Sequence, residues 1–158
     1  MDQPGEYWRR AVEPEWESID FYGDYETFLV GYRSARLEAA HLFWAFWCQT
    51  EVRNGGFHQF FTNSTGILAP EALTAFRAIG LQEWASILEE AIGCFGVPFP
   101  RKRHEREDPL RKLWDEFDGD RERCDPFYHL DDRFYLWLHA ENDRWDHAAD
   151  EYARRYIQ

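Results

Sequence analysis

The sequence predicts an all-α fold: a single compact multi-helix domain over residues 1–158, built around a long central buried helix. Three observations predict it. Apolar residues recur at i, i+3 and i+4 along most of the chain and nowhere alternate as a half-buried strand would. Aromatic content is 18%, with 8 Trp, 8 Tyr and 13 Phe, which a disordered chain does not carry. The length of 158 residues also suffices for a real core, because a domain of this size buries about two thirds of its unfolded surface. Residues 31–100 are the least charged stretch, net −2, against −6 for residues 1–30 and −4 for residues 101–158. They are expected to form the core, with 1–24 and 139–158 as packing helices.

The elements follow in order. Glu6–Val12, Pro14–Phe21 and Tyr25–Tyr32 read as short helices. The central helix runs from about Ser34, a plausible N-cap, to Arg53. Its apolar stripe is Leu37, Ala40, His41, Trp44, Cys48 and Val52, widened by Phe43, Phe46 and Trp47. Asn54-Gly55-Gly56 ends it, since Asn and Gly adopt the left-handed C-cap at low cost. A helical turn covers Phe57 to Asn63. Pro70 opens a helix to Ile79 that Gly80 ends, and Leu81–Ile92 is the next. Gly93 to Pro100 is a breaker-rich connection. Pro109–Phe117, Leu130–His139 and Asn142–Tyr156 complete the set.

The charge count, 30 acidic against 18 basic residues for a net of −12, excludes a protein that grips nucleic acid over a broad basic surface. No stretch approaches the roughly 18 apolar residues of a membrane span, and no secretory leader is evident at the start. Cys48, Cys94 and Cys124 form no CxxC pair, which indicates neither a zinc site nor a disulfide framework. A cytoplasmic, reduced protein is expected. Asp118-Gly-Asp120-Arg-Glu122 fails the calcium-loop spacing, and His147 with Glu151 lacks a third ligand. No acyl-transfer, nucleotide or dinucleotide motif occurs. The expectation is therefore no metal, no cofactor and no catalytic residue.

The densest signature is Glu51-x-x-Asn54-Gly55-Gly56-Phe57-x-Gln59-Phe60-Phe61-x-Asn63, followed by Gly66. It reads as a helix end, a tight reversal and an aromatic plug, bracketed by hydrogen bonds from Glu51, Asn54, Gln59 and Asn63 to backbone. With the helix leading to Ile79-Gly80, this segment resembles the signature of a bacterial family, the DNA mimic protein nineteen-like proteins, whose shared domain is otherwise of unknown function. The resemblance is strongest over residues 25–95 and extends to about 138 through Leu130-Asp131-Asp132-Arg133-Phe134-Tyr135. It implies an all-helical acidic protein. It also suggests mimicry, in which an acidic surface imitates duplex DNA and occupies the DNA-binding face of a transcription factor. The signature residues themselves belong to the fold and not to the acidic surface.

Twelve net charges match only about 20 Å of duplex, at one charge per roughly 1.7 Å. Spread over the whole surface they are several-fold too dilute, so mimicry requires the acids to gather on one face. Three stretches are the candidates. Asp115, Glu116, Asp118, Asp120, Glu122, Asp125, Asp131 and Asp132 lie among only Arg121 and Arg123, a net of −6 over 18 residues. Glu13, Glu15, Glu17, Asp20, Asp24 and Glu26 form a second run. Asp143, Asp146 and Asp150 make one stripe on the last helix. The only basic cluster, Arg101-Lys102-Arg103-His104-Glu105-Arg106 with Arg111 and Lys112, is diluted to +3 over residues 101–112. It is expected to form internal salt bridges, or to dock the acidic face of another copy as a homodimer.

These readings combine into a non-enzymatic acidic module whose partner is a basic DNA-binding protein or transcription factor, without direct binding to nucleic acid or membrane. Two alternatives remain open. One is an immunity-type module that neutralises a specific effector. The other is an enzyme using Glu51, His58 or an acidic metal site.

Overall fold

The computed structural model describes residues 3–16, 19–20, 23, 25–116, 120, 122, 125–139 and 144–157. Among them are eight α-helices and no strand, in the order α1 (Glu6–Trp16), α2 (Tyr25–Ser34), α3 (Leu37–Thr62), a 3-10 turn (Ser64–Leu68), α4 (Ala69–Ile79), α5 (Gln82–Gly93), α6 (Arg103–Glu116), α7 (Tyr128–His139) and α8 (Arg144–Tyr156). The predicted all-α fold with a long central helix is what the structure shows. Helix α3 packs against α1, α4, α6, α7, α8 and the 3-10 turn. A helix buried on most sides must be apolar all round, and Ala39 to Ala45, Cys48, Val52, Phe57, Phe60 and Phe61 are all buried.

The predicted break in α3 falls on two glycines. Gly55 (φ −162°, ψ 23°) and Gly56 (φ 76°, ψ 179°) leave helical geometry, and the helix resumes through Thr62. The Gly56 conformation is close to inaccessible to any residue with a Cβ, and a Cβ there would also run into the Asp131 carboxylate. The Phe57 N–H, the first donor of the resumed helix, goes to Asp131 Oδ1 at 2.8 Å. A carboxylate from α7 thus caps a helix start to which it is not sequence-local.

On either side of the break lie two aromatic groups of one continuous core. Trp8, Trp16, Phe43, Phe46 and Trp145 pack where α1, α3 and α8 meet. Phe57 and Phe61 pack with Phe95, Phe99, Phe127 and Phe134 on the far side, and Trp84 stacks on Phe134 at 4.7 Å.

Several boundaries differ from expectation, each for a local reason. Ser34 is not the N-cap of α3. It belongs to α2, its hydroxyl donating to the Gly31 carbonyl at 2.9 Å. The cap position is Arg36, extended and without a side-chain cap bond. Leu37 is 53% exposed and stands outside the buried stripe. The first predicted helix runs on through Pro14 to Trp16, because a proline this close to the C-terminal end removes a single backbone bond, and residues 19–20, predicted to continue a second helix, are not helical. Likewise α6 begins at Arg103, with Pro109 inside it. The 3-10 turn was not anticipated. The end of α4 is as predicted: Gly80 (φ 93°) is left-handed, the Leu81 N–H returning to the Phe76 carbonyl at 2.8 Å and the Gly80 N–H to the Arg77 carbonyl at 3.3 Å, a Schellman pattern.

One polar pair sits inside the core. His41 Nδ1 and the Tyr152 hydroxyl are 2.7 Å apart between α3 and α8. Burial pushes the His41 pKa below its usual 6.5, with Glu38 opposing, and pushes the Tyr152 hydroxyl up to about 12.

Two predictions follow from these elements. Gly56→Ala should cost about 2–4 kcal/mol in urea unfolding, whereas Gly80→Ala, with nothing within 4 Å of a new Cβ, should cost about 1 kcal/mol. Because folding lowers the His41 pKa, the unfolded chain binds the proton more readily. Stability should therefore fall as pH drops through 6.5 and level off below the lowered native value. His41→Gln should remove that portion of the pH dependence, read from urea midpoints at stepped pH.

Candidate acidic interface

The acidic positions separate into three kinds. Glu13 on α1, Asp115 on α6, Asp120 and Glu122 in the connection that follows, and Asp132 on α7 are exposed. None of these five has a basic partner among the described residues. Glu15 is half-buried and engaged: its carboxylate accepts the Arg36 backbone N–H at 2.8 Å and meets Arg36 Nε at 3.3 Å, tying α1 to the start of α3. Asp20 closes a local turn by accepting the Gly23 N–H at 3.1 Å. Glu17, Asp24, Asp118 and Asp143 lie outside the described residues, as does the Glu116 side chain.

The remaining four acids are buried, which corrects their expected place on an acidic surface. Asp150 accepts the Gly5 and Trp8 N–H groups, both at 2.9 Å. One turn earlier, Asp146 accepts the Trp8 indole N–H at 2.9 Å and meets Arg9 Nη2 at 3.2 Å. Together they clamp the N-terminal end of α1, where free N–H groups and the helix dipole both favour a negative charge. Asp131 caps the resumed half of α3. Asp125 accepts the Phe127 N–H at 2.9 Å, at the entry to α7. These residues are 4–9% exposed, and their charge is turned inward, onto backbone donors or, for Asp146, onto the Trp8 indole and Arg9. The Asp146–Asp150 stripe therefore faces α1.

The signature motif is a bracket across the α3 break, built differently from expectation. Glu51 accepts from Gln59 Nε2 at 3.1 Å and Asn63 Nδ2 at 2.9 Å, so side chain meets side chain across the two halves. Asn54 is exposed at the break. Phe60 and Phe61 are fully buried, the plug the motif suggested. Glu51 is thus held by two amides, while His58 lines a separate cavity of about 330 Å³ with Thr62, Glu107, Leu110 and Arg111.

The arginines of the basic cluster are engaged internally, whereas Lys102, His104 and Lys112 are exposed with no carboxylate partner among the described residues. Arg101 grips Glu71 with two bonds, of 2.7 and 2.8 Å. Arg103 pairs with Glu107 and Arg111 with Asp108. Arg106 was missed as a core residue. It is 1% exposed, its guanidinium donating to the carbonyls of Phe61, Asn63, Pro100 and Arg101. The Phe61 and Asn63 carbonyls mark the C-terminal end of α3, where a cation suits the dipole. Burial pulls the Arg106 pKa down to about 10, so it stays charged at neutral pH. The signal was its spacing of i−4 from the apolar Leu110, visible once the helix is extended back to Arg103.

Among the described residues no group of three or more His, Cys, Asp or Glu comes together to hold a metal, and no helix is long and apolar enough to cross a membrane. The fold and its acids define an all-helical acidic protein that directs some carboxylates inward as caps and leaves others bare on its surface. A family model described as DMP19-like protein matches residues 35–156, and the chain belongs to that family. The match starts after α2 and runs through α8, further than the motif alone suggested. No curated protein and no solved structure matches the chain.

The clamp is testable. Asp150→Ala leaves two buried N–H groups without acceptors and should destabilise by about 2–4 kcal/mol. Asp115→Ala, at an exposed and unpaired site, should change stability by less than about 0.5 kcal/mol. Urea midpoints of the two variants check both.

Proposed function

We propose that this chain is a non-enzymatic, cytoplasmic acidic module that acts as a DNA mimic. Clustered carboxylates stand in for phosphates and occupy the DNA-binding surface of a basic DNA-binding or transcription-regulatory protein. The observation that carries the reading is the charge left over on the surface. Arg9, Arg36, Arg77, Arg101, Arg103, Arg111, Arg133 and Arg155 are each already paired with a carboxylate. Glu13, Asp115, Asp120, Glu122 and Asp132 carry no basic partner among the described residues, so their negative potential is available to an incoming basic surface. Membership of the DMP19-like family supports the same reading. Burial of Asp125, Asp131, Asp146 and Asp150 narrows the interacting set to the acids of α1, the end of α6 with the connection after it, and the outer face of α7.

Binding of this kind depends on salt, because exposed charges are screened within about a Debye length. The chain should retain a basic DNA-binding protein at low salt, release it by about 0.5 M salt, and be displaced by duplex DNA. Combining Asp115→Asn, Asp120→Asn and Glu122→Gln should weaken that binding roughly ten-fold or more without altering the unfolding midpoint. Failure to retain any basic protein at low salt would overturn the proposal, as would a triple variant that binds like the parent. An immunity-type module predicts instead one tight partner, an apolar hot spot and little dependence on salt.

A further inference from the structure

A cleft of about 270 Å³ opens where α3 breaks, lined by Gly55, Gly56, Tyr128, Asp131, Asp132 and Tyr135. Its floor is backbone, because the two glycines contribute no side chain. Asp131 stands at the wall with one carboxylate oxygen on the Phe57 N–H. Asp132, next along, is exposed and has no basic partner among the described residues.

Two aromatic rings flank these groups. Tyr135 is fixed by its hydroxyl, which donates to the Val52 carbonyl at 2.7 Å, and Tyr128 is 36% exposed. No Lys, Arg or His is among the lining residues. The nearest cation in sequence, Arg133, is held elsewhere by Glu90 through two bonds of 2.7 and 2.8 Å.

The carboxylates and the aromatic faces favour a cation, and the volume suits one side chain. We infer that the cleft receives a single arginine side chain of the basic partner. That the partner supplies it rests on the reading above; the preference for a guanidinium rests on the cleft. A guanidinium stacks flat on a tyrosine ring while its edge meets a carboxylate in two parallel bonds. An ammonium does neither as well. A diffuse acidic surface would thereby gain one point of fixed register.

The probe is the peptide acetyl-Gly-Arg-Gly-amide, titrated into the full chain labelled with nitrogen-15, with the lysine and citrulline peptides as comparators. Saturable amide shifts centred on Gly55, Gly56 and Asp132 are expected, with a dissociation constant on the order of millimolar for so small a ligand. The lysine peptide should bind at least about three-fold more weakly, and the neutral citrulline peptide should leave these amides unmoved.

Asp132→Asn and Tyr128→Ala, both at exposed positions, should each weaken binding about five-fold or more. Glu83→Gln, an exposed carboxylate on α5, should not. Unsaturable shifts spread over the surface, equal binding of citrulline, or parent-like titration of both cleft variants would each overturn the inference. The two proposals fail separately. If the peptide binds at the cleft but no basic protein is retained, the mimic reading falls and the cleft stands. If a basic protein is retained and neither Asp132→Asn nor Tyr128→Ala weakens the peptide, the cleft falls and the mimic reading stands.

Discussion

The bond from the Phe57 N–H to Asp131 joins the two parts of the molecule that have to agree. Helix α3 is long enough to contact most of the other elements, yet a straight helix would carry residues 57–61 away from the aromatic group around Phe95 and Phe127. The break at Gly55-Gly56 redirects them. A break inside a protein exposes backbone donors that water cannot reach, and a buried N–H without a partner costs about as much as a lost hydrogen bond. Asp131 supplies that partner from α7, and the Glu51 bracket to Gln59 and Asn63 holds the two halves at a fixed angle. The position of α7, the docking of Phe134 on Trp84 and the shape of the surface at the break all follow from that one capped turn.

Charge in this chain does two jobs, and they use the same residue type. Asp125, Asp131, Asp146 and Asp150 are consumed as acceptors for backbone or indole donors. Arg106 is their mirror image, a cation spread over four carbonyls near the end of α3. Burying a charge is costly unless it is well hydrogen-bonded, so such groups fix geometry even where they add little net stability. The carboxylates left outside have no such duty. Net charge alone therefore overstates how much of the acidity is available at the surface.

Much of the fold was readable from periodicity and punctuation. The stripe through Trp44, Cys48 and Val52, the glycine pair, and Gly80 each produced the element it suggested, because these signals are local. Boundaries near Pro14 and Pro109 were not readable in that way. There the helix absorbs a proline at the loss of one backbone bond, where a rule that stops at proline ends it. The acids were misplaced for a related reason. Asp146 and Asp150 share a helical face with Ala149, Ala153 and Ile157, all buried, so an acid there sits on the apolar stripe. Read by charge alone the two looked like surface; read by phase they belonged inside, as Arg106 did beside Leu110.

The clamp on α1 also bears on the order in which the molecule assembles. The acceptors for the Gly5 and Trp8 N–H groups lie 145 and 142 residues further along. During synthesis α1 leaves the ribosome well before α8, and its capping carboxylate does not exist until α8 has been made. Until then the helix is too short to be stable alone, and the apolar face of Trp8 has no Trp145 to close over it. Contacts of such separation form late, after the cost of closing the chain has been met. Helix α1 is thus made before α8 but settles only with it, and the aromatic layer beneath α1 stays open until then.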